Sequence, residues 1–290
     1  MSIGADTVCL QCFLRKQIET ADTFGDPVKS AAFARDLMAL MGTLPMEQST
    51  VCIAPQVTEL FTRHFGMDRD RYREEKEASN AFVLARFAEI SRRAEQAADP
   101  VLAGLQMAIL GNYLDFAALQ GQVSFEKLEE MLDKAFDLEL DRDAYAAFCR
   151  DLETGKKLLY LTDNAGEIGF DRIFAEEIAR KYPHLEITFC VRGDIIINDA
   201  TRADAEAVGI PFPVIDNGNR VPGTQIDMLS DEAREALNTA DVILAKGMAN
   251  CETMYGCGYN VYYAFLVKCQ RFVDRFRKPM LTPMLVKERA

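Results

Sequence analysis

The second half of the chain alternates short apolar runs with segments of helical periodicity, and this alternation constrains the fold most. Residues 167–182 and 230–239 repeat their apolar positions at helical spacing, and 199–208 has the pattern of a shorter helix. Strands that alternate with helices of about 10–15 residues indicate a mainly parallel, doubly wound sheet. We therefore predict an α/β fold, with strands at residues 157–162, 185–191, 212–215 and 241–245 and further candidates at 261–267 and 279–286.

The first half of the chain shows helical periodicity and no strong strand signal. Its apolar residues recur at spacings of three and four, as on one face of an amphipathic helix. We predict a helical domain over residues 1–150 and an α/β domain over residues 151–290. The helical segments are 28–42, 55–65, 68–94, 100–119 and 125–136.

Composition and charge exclude several classes of protein. With 49% apolar and 27% charged residues, the 290-residue chain is globular rather than disordered. A net charge of −12 disfavours nucleic acid as a partner, because a phosphate backbone attracts a basic face. No run of about 18 apolar residues predicts a membrane helix, and no signal peptide is visible. We therefore expect a cytoplasmic protein whose eight cysteines are reduced.

Polar side chains follow the predicted strands at the points where these strands end. Asp163 and Asn164 come directly after the first strand, and Asp199 follows the second. Because ligands in open α/β sheets bind outside the carboxyl ends of the strands, we expect these side chains to share one site. Two carboxylates and an amide oxygen suit Mg²⁺ or Mn²⁺, with water or substrate phosphate completing the shell. Each aspartate also precedes a predicted helix, where aspartate is an ordinary N-cap.

Basic and glycine residues near the same strand ends suit a phosphate group. Gly166 lies where a loop turns into a helix, so that helix N–H groups are expected to face an anion. Arg192, Lys246 and Lys268 are suited to neutralise phosphate oxygens. Taken jointly, these residues favour a metal and phosphate site over a set of unrelated helix caps.

A pair of cysteines near the start of the chain forms a second motif. Cys9 and Cys12 have the C-x-x-C spacing of redox pairs and of metal sites. No second C-x-x-C follows, and the pair does not follow a predicted strand as a thioredoxin-like pair would. Two cysteines three residues apart on a helix are also common as core thiols. A second metal site, a redox pair and a packing role therefore all stay open.

The predicted apolar helix at 100–119 contains a Gly111-Asn112 pair, and both residues are unfavourable inside a helix. Two explanations stand side by side. Gly111 allows a close contact between two helices, or Asn112 and Asp115 lie on one helix face and reach a ligand.

Short motifs in a fairly specific order and spacing run through most of the chain. They are Cys9-x-x-Cys12, Asp70-x-Tyr72-x-x-x-Lys76-x-x-x-Asn80, Gly111-Asn112-x-x-Asp115, Asp163-Asn164-Ala165-Gly166-Glu167, Arg192-Gly193 with Asn198-Asp199-Ala200, Lys246-Gly247-x-x-Asn250-x-Glu252, and Lys268-Cys269. With these motifs the chain resembles the damage-control phosphatase family, metal-dependent enzymes long described as domain of unknown function 89. It is most similar to the prokaryotic branch that carries an N-terminal C-x-x-C.

The resemblance implies a fold, an activity and a cofactor. The fold is a helical N-terminal domain followed by a Rossmann-like, mainly parallel three-layer α/β/α domain. The activity is hydrolysis of phosphate monoesters of small metabolites, such as sugar phosphates and damaged or side-product phosphometabolites. The cofactor is a divalent metal, Mn²⁺, Ni²⁺, Co²⁺ or Mg²⁺. The expected partner is thus a small phosphorylated metabolite, with no nucleic acid and no membrane.

The resemblance also implies roles for residues of the candidate site. Asp163, Asn164 and Asp199 would hold the metal and carry the catalysis. The resemblance implies phosphate contacts from the segment 248–252 and from Lys268. The full set of expected substrate and phosphate contacts is Glu167, Arg192, Lys246, Asn250, Lys268, Asn112 and Asp115. The chain departs from the expected pattern after Lys246-Gly247, where Met248-Ala249 replaces a polar residue and a glycine, and Cys251 replaces an aromatic residue. We expect these departures to bear on substrate preference more than on the hydrolysis reaction.

Two points of mechanism and class stay open at the level of sequence. The nucleophile is either a water activated by the metal or the Asp163 carboxylate. A non-catalytic sensor of phosphometabolites or nucleotides is one alternative function, although no G-x-G-x-x-G motif follows a strand. A thiol redox or metal-binding protein that uses Cys9 and Cys12 is the other.

Overall fold

A computed structural model describes residues 3–114 and 124–288 of the chain. Within those residues the α-helices are α1 (Thr7–Asp22), α2 (Pro27–Met41), α3 (Ala54–Phe65), α4 (Arg73–Glu95), α5 (Pro100–Gly111), α6 (Phe125–Asp133), α7 (Arg142–Thr154), α8 (Glu167–Lys181), α9 (Arg202–Ala207), α10 (Asp231–Thr239), α11 (Gly247–Met254) and α12 (Gln270–Phe276). The β-strands are β1 (Lys157–Leu161), β2 (Glu186–Val191), β3 (Val214–Asp216), β4 (Val242–Lys246), β5 (Val261–Leu266) and β6 (Pro283–Lys287).

The strands form one six-stranded sheet in the order β3-β2-β1-β4-β5-β6 within the described residues. Strands β1 to β5 are parallel, and β6 pairs antiparallel with β5. The chain winds outward from β1 to β3 and then returns to place β4 on the other side of β1. The order therefore reverses between β1 and β4, which is where ligands bind in doubly wound sheets. The predicted α/β class with a mainly parallel sheet is confirmed.

Helices cover both faces of the sheet, because successive strand residues point to opposite sides. Leu158 and Tyr160 of β1 face a core that α4, α5, α7 and α8 complete. Leu159 and Leu161 face the opposite core, which contains residues of α10, α11 and α12. This gives the three layers that the resemblance implies.

The helices that precede the sheet divide into two groups. Helices α4, α5, α6 and α7 share the hydrophobic core of the sheet, and α5 packs closely along α8. Helices α1, α2 and α3 enclose a separate core around Phe33 and Phe61, whose ring centroids are 4.4 Å apart. The division into domains at residue 150 stays a prediction, and the main hydrophobic core includes side chains from both sides of that residue.

Several helix boundaries differ from those expected from the sequence. The helix predicted over 100–119 ends at Gly111, where the N–H of Asn112 donates to Ile109 O and tightens the last turn. The low helix propensity of glycine favours an end at this point. The helix predicted from residue 68 begins at Arg73, and α1, α7 and α11 have no counterpart among the predicted segments. In the described part of the chain, no helix combines the length and apolar composition that a bilayer crossing requires.

Candidate active site

A cavity of about 660 Å³ lies where the carboxyl ends of the strands face the first helices. One wall comprises Asp163, Asn164, the segment 197–199 and part of α11. The opposite wall comes from α1, α3 and the segment between α3 and α4. Asp163, Asn164 and Asp199 are all nearly buried, and each of them lines this cavity. The sequence thus correctly places these three side chains at one edge of the sheet.

Backbone pairing beyond the ends of β1 and β2 brings the two aspartates together. Asn164 and Asp199 form an isolated antiparallel bridge. The N–H of Ala200 donates to Asp163 O at 2.8 Å, and the N–H of Ala165 donates to Asn198 O at 2.9 Å. These bonds fix the two strand-end loops to each other, so the relative position of the carboxylates depends on backbone structure.

Helix capping does not account for either aspartate. Helix α8 begins after Gly166, which has a φ of +75° and provides no side-chain cap. Helix α9 is capped by Thr201, which forms a capping box with Asp204. Helix capping, the ordinary explanation at the level of sequence, therefore does not explain Asp163 and Asp199.

Two asparagine amides hold the Asp163 carboxylate in place. Asn112 Nδ2 donates to Asp163 Oδ2 at 2.9 Å and to Glu167 Oε2 at 2.8 Å. Asn164 Nδ2 donates to the same two oxygens at 2.8 and 2.9 Å. Asn112 Oδ1 accepts a hydrogen bond from the N–H of Leu266, which ties the end of α5 to β5. Asn112 therefore lies at the site, while Asp115 lies outside the described residues.

Gly111 lies where helices α5 and α8 approach each other closely. A Cβ at position 111 would lie 2.7 Å from the ring of Phe170 on α8. That distance is too short for any side chain, so glycine allows α5 and α8 to approach. The structure thus shows the close helix contact at Gly111, while the contact of Asn112 and Asp115 with a ligand stays a prediction.

Asp199 is paired with a buried arginine behind the cavity wall. Arg192 Nε donates to Asp199 Oδ2 at 2.7 Å, and Arg192 Nη2 donates to Thr162 O at 3.3 Å. Arg192 is 1% exposed and does not line the cavity. Its Nη1 has no hydrogen-bond partner among the described residues. Arg192 thus contacts a candidate metal ligand, and its predicted contact with phosphate stays a prediction.

Lys246 is fully buried and does not line the cavity. Its Nζ donates to Ala108 O at 2.9 Å, Glu167 Oε1 at 2.7 Å and Asp171 Oδ1 at 2.5 Å. Burial opposes the charge of Lys246, but Asp171 and Glu167 outweigh this effect and raise the pKa of Lys246. Burial also raises the pKa of Asp171 to about 7, although Lys246 acts in the opposite direction.

The remaining predicted substrate contacts lie just behind the same wall. Lys268 Nζ donates to Asn112 O at 2.8 Å. Asn250 Nδ2 donates to Lys246 O at 2.6 Å and to Thr162 O at 3.1 Å, so it joins the ends of β4 and β1. Neither Lys268 nor Asn250 lines the cavity, and the roles assigned to them in substrate binding stay predictions.

Glu252 belongs to the expected phosphate-binding segment and does line the cavity. Its carboxylate accepts a hydrogen bond from Ser49 Oγ, and burial raises its pKa. Ser49 lies in the segment that connects α2 and α3, so this bond ties α11 to the helical half of the chain.

Among the described residues, the cations that line the cavity come from the helical half of the chain. They are Lys16, Arg69 and Arg71. Arg69 binds Glu59, which also binds Arg220. Arg71 Nη2 donates to Tyr72 Oη at 2.8 Å, and the guanidinium lies 4.6 Å from the centre of that ring. Sequence reasoning missed all three, although Arg71 lies inside the Asp70-x-Tyr72 motif.

Cys9 and Cys12 are half-buried on α1 and do not line the cavity. Cys9 Sγ lies 3.5 Å from Thr50 Oγ1, and burial raises the pKa of Cys9. Within residues 3–114 and 124–288, no three histidine, cysteine, aspartate or glutamate side chains group as a metal cage. Both the second metal site and the redox pair stay predictions.

The donor set at Asp163, Asn164 and Asp199 fits a divalent cation. It offers two carboxylates and one amide, all of them oxygen donors, on the wall of a cavity. Nearly buried carboxylates in adjoining loops attract a cation, which favours their charged form. Mg²⁺ and Mn²⁺ accept one or two carboxylates and keep other positions for water and phosphate.

Comparisons with known proteins agree with this architecture. A crystal structure of a DUF89 family protein from Pyrococcus horikoshii superposes with a TM-score of 0.80 and 25% identity, over 99% of both chains. An uncharacterized protein of Methanocaldococcus jannaschii is 29% identical over 282 residues, which are 93% of this chain and 90% of that one.

Two relatives are named damage-control phosphatases. The one from Archaeoglobus fulgidus is 35% identical over 202 residues, which are 66% of this chain and 69% of that one. The one from Pyrococcus horikoshii is 33% identical over 178 residues, which are 60% of this chain and 61% of that one. The family model of the damage-control phosphatase ARMT1-like domain matches residues 5–280, which is nearly the whole chain. The resemblance drawn from the motifs is thereby confirmed, and the chain belongs to the damage-control phosphatase ARMT1-like domain family.

Proposed function

We propose that the protein is a divalent-metal-dependent phosphatase that hydrolyses phosphate monoesters of small metabolites, with Asp163, Asn164 and Asp199 as the metal ligands. Phosphatase function itself follows from the family and from the two relatives that carry this name. One observation carries the assignment of the site. The loops that carry the Asp163 and Asp199 carboxylates follow different strands and are joined by backbone hydrogen bonds. Both carboxylates line a cavity at the edge of the sheet where the strand order reverses.

Hydrogen bonds from surrounding residues hold these ligands in position before a substrate binds. The amides of Asn112 and Asn164 fix the rotation of the Asp163 carboxylate, and Arg192 fixes that of Asp199. Preorganised ligands avoid the free-energy cost of reorganisation during the reaction. When bound, the ion neutralises charge on a phosphate oxygen and orients the ester. The oxygen donors favour Mg²⁺ or Mn²⁺, while Co²⁺ and Ni²⁺ also accept them.

The opposite wall of the cavity supplies the contacts for the rest of the substrate. A volume of about 660 Å³ is that of a small-molecule site and holds more than a phosphate group. Arg71 approaches this space with Tyr72 beside it and without a carboxylate partner among the described residues. We assign Arg71 to an anionic group of the substrate, on the wall of the cavity opposite the candidate metal ligands.

Phosphate release from metal-stripped protein tests this proposal. The substrates are p-nitrophenyl phosphate and a panel of sugar phosphates, and Mg²⁺, Mn²⁺, Co²⁺ and Ni²⁺ are restored one at a time. We expect release that requires a metal and is lost in Asp163→Ala and Asp199→Asn. Asp194→Asn is the matched control for the second variant, because Asp194 is an exposed carboxylate of the same loop outside the cavity.

Either of two results would contradict the proposal. One is release that persists at the full rate without metal. The other is a folded Asp163→Ala variant that retains the activity of the wild type. A protein that binds sugar phosphates without any release would instead be a sensor.

A further inference from the structure

Three buried charged side chains form a chain of contacts directly behind the candidate metal ligands. Glu167, Asp171 and Lys246 are each 0% exposed. Lys246 Nζ contacts Glu167 Oε1 and Asp171 Oδ1, and Tyr160 Oη donates to Asp171 Oδ1 at 2.8 Å. None of these side chains lines the cavity. A buried charged cluster of this kind stabilises a fold only weakly, so a role in the site deserves a test.

We propose that Lys246 is a positioning residue, which acts through Glu167 to turn the amide oxygen of Asn164 toward the metal. This inference rests on the proposed function, because it takes Asn164 as a metal ligand. It replaces a contact between Lys246 and substrate phosphate with an indirect role.

All three N–H donors of Lys246 already have protein acceptors. An ammonium group has three N–H donors and no acceptor. Lys246 has three acceptors within hydrogen-bond distance: Ala108 O, Glu167 Oε1 and Asp171 Oδ1. To reach a phosphate, Lys246 would have to leave two buried carboxylates without their cation. Removal of one partner from a buried ion pair is strongly destabilising, because the remaining charge is left buried and uncompensated.

Glu167 transmits the position of Lys246 to the metal ligand. Its Oε1 accepts from Lys246, while its Oε2 accepts from the amides of Asn164 and Asn112. The two oxygens of one carboxylate are thus divided between the lysine and the asparagines. When Lys246 holds Oε1, it fixes the direction in which Oε2 faces Asn164.

The carboxylates then select the orientation of the Asn164 amide. A carboxylate accepts hydrogen bonds and cannot donate them, so Asp163 and Glu167 both attract the amide nitrogen. Asn164 Nδ2 donates to Asp163 Oδ2 and Glu167 Oε2, which uses both of its hydrogens. The amide oxygen is thereby turned away from these two carboxylates. Asn164 lines the cavity, where a cation needs oxygen donors.

Metal titration separates a positioning role from a phosphate contact. The variant Glu167→Gln keeps the size of the side chain but offers Asn164 an amide in place of a carboxylate. We expect the affinity for Mn²⁺, measured by isothermal titration calorimetry without substrate, to fall by about 10-fold or more, as for other residues that hold metal ligands in place. At saturating Mn²⁺, the KM for p-nitrophenyl phosphate should change by less than about 3-fold. Lys246→Met should act in the same direction.

Glu177→Gln is the matched control. Glu177 is a buried glutamate on the same helix α8, and it binds Arg180 far from the cavity. Its replacement likewise removes a buried carboxylate from an ion pair, and the affinity for Mn²⁺ should stay that of the wild type. Because Glu167→Gln retains the pair of Lys246 with Asp171, it keeps the test valid if Lys246→Met fails to fold.

The results divide cleanly between this inference and the proposed function. If Asp163→Ala loses Mn²⁺ and Glu167→Gln binds it as the wild type does, the positioning role is wrong and the metal site stands. A rise in KM for substrate with unchanged Mn²⁺ affinity in Lys246→Met would restore the phosphate contact and overturn the inference. If Asp163→Ala binds Mn²⁺ normally, both proposals fail.

Discussion

Gly247 lies against the Asp163 carboxylate so closely that a Cβ at position 247 would be 1.9 Å from Asp163 Oδ2. Gly247 follows β4 directly and has a φ of +78°, while Asp163 follows β1. The two central strands therefore meet at their carboxyl ends through a contact that only glycine permits. Asp163 is held on one side by this backbone and on another by the amides of Asn112 and Asn164.

Substitution of Gly247 should disturb the site more than the fold. In Gly247→Ala the added methyl group displaces Asp163, and we expect Mn²⁺ affinity to fall by about 10-fold or more. Gly258→Ala is the control, because Gly258 has a φ of +81° and nothing within 4 Å of the added Cβ. Both variants carry a similar backbone strain of about 1–2 kcal/mol. Equal Mn²⁺ affinities of the two variants in calorimetry would show that the contact with Asp163 is unimportant.

Replacement of Asn112 should lower stability as well as activity. Asn112→Ala removes two donors from Asp163 and Glu167 and leaves the buried N–H of Leu266 without its acceptor. An unsatisfied buried group costs about 1–3 kcal/mol, and we expect the free energy of unfolding to fall by at least this amount. Urea denaturation monitored by circular dichroism measures it. A variant as stable as the wild type would mean that water replaces the lost bonds.

Arg71 should affect substrate binding rather than the rate of the chemical step. In Arg71→Gln we expect the KM for a sugar phosphate to rise about 10-fold, because a charged hydrogen bond contributes about 1.5 kcal/mol or more. The value of kcat should change little. Arg35→Gln removes the same charge from an exposed position on α2 and should leave KM unchanged. If the two variants have the same KM, Arg71 does not contact the substrate.

The buried carboxyl of Asp171 should make stability depend on pH. Burial raises its pKa to about 7 in the folded protein, whereas an unfolded aspartate ionises near pH 4. Between these values the folded state binds more protons, so the free energy of unfolding falls as the pH rises from about 4 to about 7. Above pH 7 this contribution is constant.

Asp171→Asn should remove that dependence. Relative to the wild type, the variant should gain stability by up to about 1.4 kcal/mol per pH unit between pH 5 and pH 7. Urea denaturation of both proteins at pH 5, 6, 7 and 8 gives the difference. A difference that is independent of pH would mean that Asp171 ionises normally in the folded protein.

Much of the sheet and the proximity of the candidate metal ligands could be predicted from the sequence. Buried parallel strands are short apolar runs, and the β1 and β4 runs stand between polar turns. Once the sheet is parallel, its carboxyl ends share one edge, so Asp163 and Asp199 must lie near each other. The two residues are 36 positions apart, yet the geometry of the sheet places them in adjoining loops.

The surroundings of the cations could not be predicted in the same way. Lys246 follows a strand end and carries a charge, which suits a phosphate ligand at the level of sequence. Its acceptors come from α5 and α8, and only the packing of these helices shows that they surround the ammonium. Arg71 lies more than 90 positions before Asp163, and no local pattern places it across the cavity.

Anomalous X-ray scattering from Mn²⁺ bound in crystals of the protein tests the central claim most directly, because it locates the ion independently of activity. The account predicts an anomalous peak in contact with oxygens of Asp163, Asn164 and Asp199, and its loss in crystals of Asp163→Ala. A peak at Cys9 and Cys12 alone, or no ordered ion at the strand ends, would contradict it.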